Sequence, residues 1–316
     1  MFLCESTIPS LTLWAGNRKT SWQGKIPNVK TLELRYSSVK DYQIHNLTSL
    51  PTLEELNLDS CRVGDSALRH IVQYNVMPNL QSLELADSEI SDVGLVHLGK
   101  LKTLTKLSLF YCNISNFGLR HVSKLTNLHT LNLDSRDIDD HGIRHLKALR
   151  KLKHLDVFSG RITDAGCGHI STMRCLESLE LCGGGVGDLG CTLLACLENL
   201  TSLNLSQNER ITNVGAAALA SLHCLKALNL SNTRVTSHAL HFFEGLRQLQ
   251  SLALYGCHNI DNEFDLCRLR QSVPSLKCLR RHCTPEEEGT CVAMGDEDYV
   301  RDIWEDDDMD QYSDHD

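Results

Sequence analysis

Apolar positions along the chain repeat one motif. A leading aliphatic residue is followed three and five places later by leucines, as L-x-x-L-x-L. Its first position falls at Val29, Leu53, Leu80, Leu104, Leu128, Leu152, Leu176, Leu200, Leu225 and Leu249. The steps between them are 24, 27, 24, 24, 24, 24, 24, 25 and 24 residues. Alternation inside the motif predicts a short strand, with residues such as Leu107 and Leu109 facing inward. Two places past the ninth position, or three at Ile211 and Ile260, comes Val or Ile, from Val39 and Val63 through Val235 to Ile260. Two further on comes a residue of the helix-capping type: Asp41, Asp65, Asp92, Asn116, Asp140, Asp164, Asp188, Asn213, Ser237 or Asn262. Such side chains accept hydrogen bonds from the free N–H groups of a helix start. A small residue and apolar residues at helical spacing follow, as in Gly94, Leu95, Leu98 and Leu101. Each unit therefore reads as strand, turn and helix. Stacked units place a parallel sheet on a concave face and helices outside, with a sheet about 50 Å long at ~4.8 Å per strand. A half unit precedes them (Ile8, Leu11, Leu13), and a degenerate one follows (Leu276, Leu279).

Periodicity of this kind, in ten units of about 24 residues, identifies the chain as similar to leucine-rich-repeat proteins. The ninth position is Cys61, Cys112 and Cys257 in three units, and helix starts of the I-x-D-x-G-L type follow. These residues resemble the cysteine-containing repeats of intracellular proteins of the ribonuclease-inhibitor-like type, found in many F-box substrate receptors. The stretch Leu155–Asn208 also resembles a group of plant-type intracellular leucine-rich-repeat proteins. The resemblance implies an α/β solenoid, a right-handed arc with the sheet concave and the helices convex. It also implies protein–protein recognition, in its narrowest form as a substrate-recognition or accessory subunit of SCF-type ubiquitin-dependent degradation. The alternative is a stand-alone signalling or immune scaffold without a ligase role. Only 28 residues precede the first full unit, so the F-box of the receptors is expected to be absent. Residues 1–28 are expected to form a capping half-repeat, 29–282 the solenoid and 283–316 an acidic disordered tail.

Composition sharpens this picture. The chain has 316 residues, and aromatics make up 5%. Against that stand 53 leucines, so the core is built from one aliphatic type. None of the 14 Cys sits in a CxxC pair. With no visible signal peptide or apolar run of membrane-spanning length, reduced thiols and a cytoplasmic or nuclear location are expected. The formal charge is −9, but it is unevenly placed. Residues 284–316 hold 14 acids against Arg301, or −13, and residues 1–283 carry 30 bases and 26 acids, or +4.

No catalytic set emerges. The Asp column recurs with the repeat and reads as helix capping. Gly183, Gly184 and Gly185 lack the GK[ST] of a phosphate loop and read as a tight turn. The His residues, among them His70, His97, His121 and His145, read as solvated or packing. No enzyme activity, cofactor or metal is expected. A dense basic cluster, Arg144, His145, Lys147, Arg150, Lys151 and Lys153, lies on one helix and its exit loop and reads as a solvated face. Cys182 is expected to point outward from the sheet, where it could be modified.

Binding is expected on the concave sheet. Its middle outward column reads Glu33, Asn57, Glu84, Ser108, Asn132, Asp156, Glu180, Asn204, Asn229 and Ala253. The next column includes Phe110, Asp134, Phe158, Cys182, Ser206, Ser231 and Tyr255. Exposed aromatics beside carboxylates suit a basic, partly apolar protein segment. The expected contact residues are Phe110, Tyr111, Asp134, Asp156, Phe158 and Glu180. The expected partner is a protein met by a monomeric chain, with membrane and nucleic acid disfavoured.

Overall fold

A computed structural model describes residues 10–12, 29–45, 49–133, 137–158, 160–258, 260 and 262–281. Their twelve strands form one parallel sheet in strict chain order. The half unit supplies the strand Ser10–Thr12 and the degenerate unit supplies Cys278–Arg280. Register is uniform. Leu107 pairs with Leu131, Leu131 with Leu155 and Leu155 with Leu179. The three motif leucines of each unit therefore stack on those of the next. Between the sheet and the helices they form a single buried core, with Phe243 its largest fully buried side chain. That aliphatic stack accounts for the leucine-rich, aromatic-poor composition.

Most helices are one to two turns long, as in Asp92–Leu98, Asn116–Val122, Asp164–Ile170 and Asp188–Leu194. Isolated helices of this length are unstable in water, so packing and capping hold them. Here the structure corrects one expectation. The cap is the residue before the expected Asp or Asn. Ser91, Ser115, Asp139, Thr163 and Thr212 occupy it, and each side chain accepts from the N–H two residues on. In the last unit the expected residue, Asn262, is the cap and accepts from Phe264 and Asp265.

The displaced Asp and Asn side chains bridge to the next unit. Asp65 Oδ1 accepts from Ser91 N at 2.8 Å, and Oδ2 accepts from Ser91 Oγ at 2.6 Å. Asp92 does the same to Ser115, and Asp140 to Thr163. Asp188 accepts from Thr212 N, Thr212 Oγ1 and Gly215 N, each at 2.8 Å. The amides adapt to what they face. Asn116 meets the carboxylate of Asp139, so Nδ2 donates to Asp139 Oδ1 at 2.8 Å while Oδ1 accepts from Asp139 N. An Asp at 116 would set two carboxylates together.

The small residue of the helix start exists to admit this acceptor. A Cβ built on Gly215 would lie 2.6 Å from Asp188 Oδ1, and one on Gly190 would lie 2.7 Å from Asp164 Oδ1. No ordinary Cβ contact is that short.

A second inter-repeat link runs through the ninth position. Cys61 Sγ donates to Leu34 O, Cys112 Sγ to Leu85 O and Cys257 Sγ to Leu230 O, at 3.0–3.1 Å. Asn208 Nδ2 serves Leu181 O in the same way at 2.7 Å. The cysteines thus fill the core and also satisfy a buried carbonyl.

Asp188→Ala should cost about 2–3 kcal/mol, because it removes an ionised acceptor shared by three donors. Asp188→Asn should recover most of that loss, since Asn213 already makes the equivalent bonds to Thr236. Urea denaturation of both variants checks the pair of outcomes. Equal losses would show that the carboxylate charge, and not the bridging geometry, matters.

Candidate functional site

The sheet face is built from the outward residues of each short strand and from the turn that follows. The eighth residue of each described unit adopts a left-handed backbone. It is Tyr36, Ser60, Asp87, Tyr111, Gln207 or Asn232, at φ of 50–60°, and glycine at Gly183 and Gly256. This conformation costs non-glycine residues about 1–2 kcal/mol. It is retained because the residue's N–H continues the inter-strand ladder: Tyr36 N donates to Asp59 O, and Asp87 N to Phe110 O. The Gly183–Gly185 segment opens with such a turn, at a φ of 73° for Gly183.

At Tyr111 the turn lifts a phenol ring out of the sheet edge, leaving it 50% exposed. The ring stands edge-on to Phe110, with centroids 4.6 Å apart and an interplanar angle of 89°. That T-shaped geometry is the favoured one for an aromatic pair. Phe110 and Phe158 are each half-buried and sit two strands apart, roughly 10 Å at the usual strand spacing. Asp134, expected between them, lies outside the described residues.

Asp156 and Glu180 are register partners on adjacent strands. Asp156 Oδ1 accepts from Phe158 N at 3.0 Å, which fixes the carboxylate at the strand exit. The Glu180 carboxyl sits deep among neighbouring groups. Burial, and then the charge of Asp156, push its pKa well above the ordinary carboxylate value, and a hydrogen bond from Asn204 only partly offsets them. Elsewhere the acids of the face are engaged. Glu84 pairs with Lys106 at 2.8 Å, and Asp59 Oδ1 accepts from Ala86 N at 2.7 Å.

Three expectations for this face need correction. Cys182 is 2% exposed, and its sulfur accepts a hydrogen bond from Ser206 Oγ at 3.0 Å. Asn204 and Asn229 are buried as well, because each Oδ1 accepts from the N–H two residues on, at Ser206 and Ser231. Those amides complete strand ends and do not present themselves to a partner. Glu180, expected to offer an exposed charge, holds a shielded carboxyl whose burial favours the neutral form. Tyr36, 75% exposed at the eighth position, was not anticipated from the strand alternation. Its only signal is that it occupies the same repeat position as Tyr111.

Among the described residues, no group of three or more His, Cys, Asp and Glu could hold a metal ion. No helix among them is long and apolar enough to cross a membrane.

A family model for leucine-rich repeats matches residues 198–258, and a second leucine-rich-repeat model matches 49–72, 76–99, 100–120 and 148–171. This chain is a leucine-rich-repeat protein. Among solved structures, this leucine-rich-repeat chain is similar to an internalin of Listeria monocytogenes, with 24% identity and a TM-score of 0.60. The match covers 85% of the chain and 73% of the internalin. Internalin C2 of the same organism gives 24% identity and a TM-score of 0.53, over 64% of the chain and 80% of that protein. A leucine-rich-repeat protein of Leptospira interrogans gives 21% identity and a TM-score of 0.56, over 79% of the chain and 60% of its own length. At these identities the likeness concerns the fold. No curated protein matches the sequence.

The raised Glu180 pKa gives a signed expectation. A carboxyl that titrates higher in the fold than in the unfolded chain, where its pKa is about 4.3, binds more protons when folded. Its contribution to stability is therefore present at low pH and is lost as pH rises through the folded pKa. Glu180→Gln should gain stability relative to the parent as pH rises above about 4.3. The difference should shrink toward pH 4. Urea midpoints across that range check it, and a pH-independent difference would place the titration elsewhere.

Proposed function

We propose that this leucine-rich-repeat scaffold recognises a basic, partly apolar protein segment on its sheet face, around Phe110, Tyr111, Phe158, Asp156 and Glu180. The observation that carries the reading is the edge-on Phe110–Tyr111 pair, two and three strands along the same sheet from the Asp156–Glu180 carboxyls. Rings of this kind supply apolar contact area at low entropic cost, and a Lys or Arg over the carboxyls would favour the ionised form of Glu180. Asp134 falls in the same column between the two phenylalanines and belongs to the same proposal. Residues 29–282 act as the binding unit, with 1–28 as its cap and the acidic 283–316 as an appendage. The protein works as a monomer in the cytoplasm or nucleus and carries no catalytic activity.

The narrower reading is substrate recognition within an SCF-type ubiquitin ligase. It is supported by the cysteine-containing repeat pattern at Cys61, Cys112 and Cys257. Co-purification with cullin-ligase subunits, detected by mass spectrometry, would support it, and their absence favours the stand-alone scaffold.

The double variant Phe110→Ala with Phe158→Ala should reduce partner capture on the order of tenfold or more while leaving the far-ultraviolet circular dichroism unchanged. A quantitative pull-down from cell lysate measures this. Recovery of the same proteins in the same amounts by the double variant would overturn the sheet-face reading.

A further inference from the structure

The helix side carries a charge pattern that the sheet face does not use. Besides Lys106 of the sheet face, stretches 93–133, 141–155 and 165–176 contain ten Lys and Arg and no Asp or Glu. The carboxylates that interrupt them fall at strand exits and helix starts, as Asp156, Asp140 and Asp164 do. Every unit runs in the same direction, so the helix C-terminal ends lie together on the opposite edge. There Lys102, Lys124, Arg144, Lys147, Arg150 and Arg174 are all exposed. Among the described residues, none of the six forms an ion pair with a carboxylate.

These cations form one surface across four consecutive units. Asn127 Nδ2 donates to Lys102 O at 2.9 Å, and Lys151 Nζ donates to Asn127 Oδ1 at 2.8 Å. Asn199 Nδ2 donates to Arg174 O at 2.9 Å. Successive exit loops are thereby tied side by side. A column of His97, His121, His145 and His169, at 24-residue spacing, runs along the same helices, and each is half-buried. Burial and the surrounding cations hold His121, His145 and His169 below the ordinary imidazole range. Some of that field crosses between units: Arg120 acts on His145, and Lys147 and Arg144 act on His169.

We propose that this helix-side surface binds an acidic, extended polypeptide segment. Charge complementarity carries the choice of partner. Cations at a helix end offset its carbonyl dipole, but Lys102, Arg150 and Arg174 lie beyond the helices and are not needed for that. The backbone at this edge offers carbonyls, so a docked anion is held by side chains alone. A phosphodiester chain is better served by N–H groups at helix starts or by stacking rings. In these units the exposed rings, Tyr111 and Phe117, sit at a strand exit and a helix start on the other edge. A polypeptide places flexible carboxylates every 3.3–3.6 Å per residue, which suits mixed Lys heads and Arg forks.

The test uses the full chain and fluorescein-labelled poly-L-glutamate of about 20 residues, followed by anisotropy at about 50 mM and about 300 mM salt. Saturable binding in the micromolar range at low salt, lost at high salt, is expected. Arg144→Glu with Lys147→Glu and Arg150→Glu should weaken it on the order of tenfold or more, and Phe110→Ala with Phe158→Ala should leave it unchanged. If the triple variant unfolds, Arg150→Glu with Arg174→Glu, both in exposed loops, carries the same expectation. Parallel titrations use oligouridylate, duplex DNA and phosphatidylserine vesicles. Absence of saturable poly-glutamate binding, indifference to charge reversal, or tighter binding to any of the three alternatives would overturn the proposal.

Discussion

One hydrogen-bond acceptor couples each repeat to the next. It sits at the first helical position of most units, and it is spent on the cap residue of the following unit. Repeat proteins are stabilised by a nearest-neighbour sum, in which no unit can bury its apolar face alone. Leucine stacking supplies most of that interface, but stacking of identical side chains tolerates sliding. The acceptor does not. Asp92 reaches both N and Oγ of Ser115, which fixes the helix start of one unit relative to the next within hydrogen-bond tolerance. Gly118, three places past that cap, is then required by space, because Asp92 Oδ1 occupies the volume its Cβ would need. Helix direction, strand register and alignment of the exit loops all follow from this contact.

Much of this was legible in the sequence, and the limits have a common cause. The 24-residue step placed the strands, the buried leucines and the residue types at the helix starts. Periodicity shows which residues share a column. It does not show what the neighbouring column presents. The Asp column was therefore read as capping its own helix, when the cap lies one residue earlier and the Asp serves the next unit. Cys182 was placed outward by alternation, yet the Ser206 hydroxyl of the next strand covers it. Asn204 and Asn229 were placed in the outward column, whereas each closes its own strand end through the N–H two residues on. For the Asp column and Cys182 the missing information was a contact across 23–27 residues.

The left-handed turn at the eighth position was less visible still. Only Gly183 and Gly256 betray it, because the other units place Tyr, Ser, Asp, Gln or Asn there. The backbone ladder offsets the strain, and the side chain at this position lies outside the leucine core. That placement is what makes Tyr36 and Tyr111 informative. An exposed ring in an unfavourable backbone conformation contributes nothing to the core, and a smaller or more permissive residue would fold better there. The edge-on contact with Phe110 gives Tyr111 a fixed orientation as well, which Tyr36 lacks among the described aromatic pairs.

Sorting of charge follows from the same geometry. Carboxylates are drawn to helix starts, where donors await them, and all helix starts lie on one edge. The opposite edge receives the helix carbonyl ends, which favour cations. A solenoid of this type therefore acquires a basic margin as a by-product of its own capping chemistry. Dipole compensation accounts for a few cations near each helix end. It does not account for an acid-free run from Val93 to Leu133, nor for arginines placed in the loops beyond. On the sheet face the sign is reversed at one place, where Asp156 and Glu180 stand side by side and burial favours the neutral form of Glu180. A pair held in that state resists a second negative charge and is relieved by a positive one. On the two readings proposed for them, the two surfaces would take partners of opposite charge.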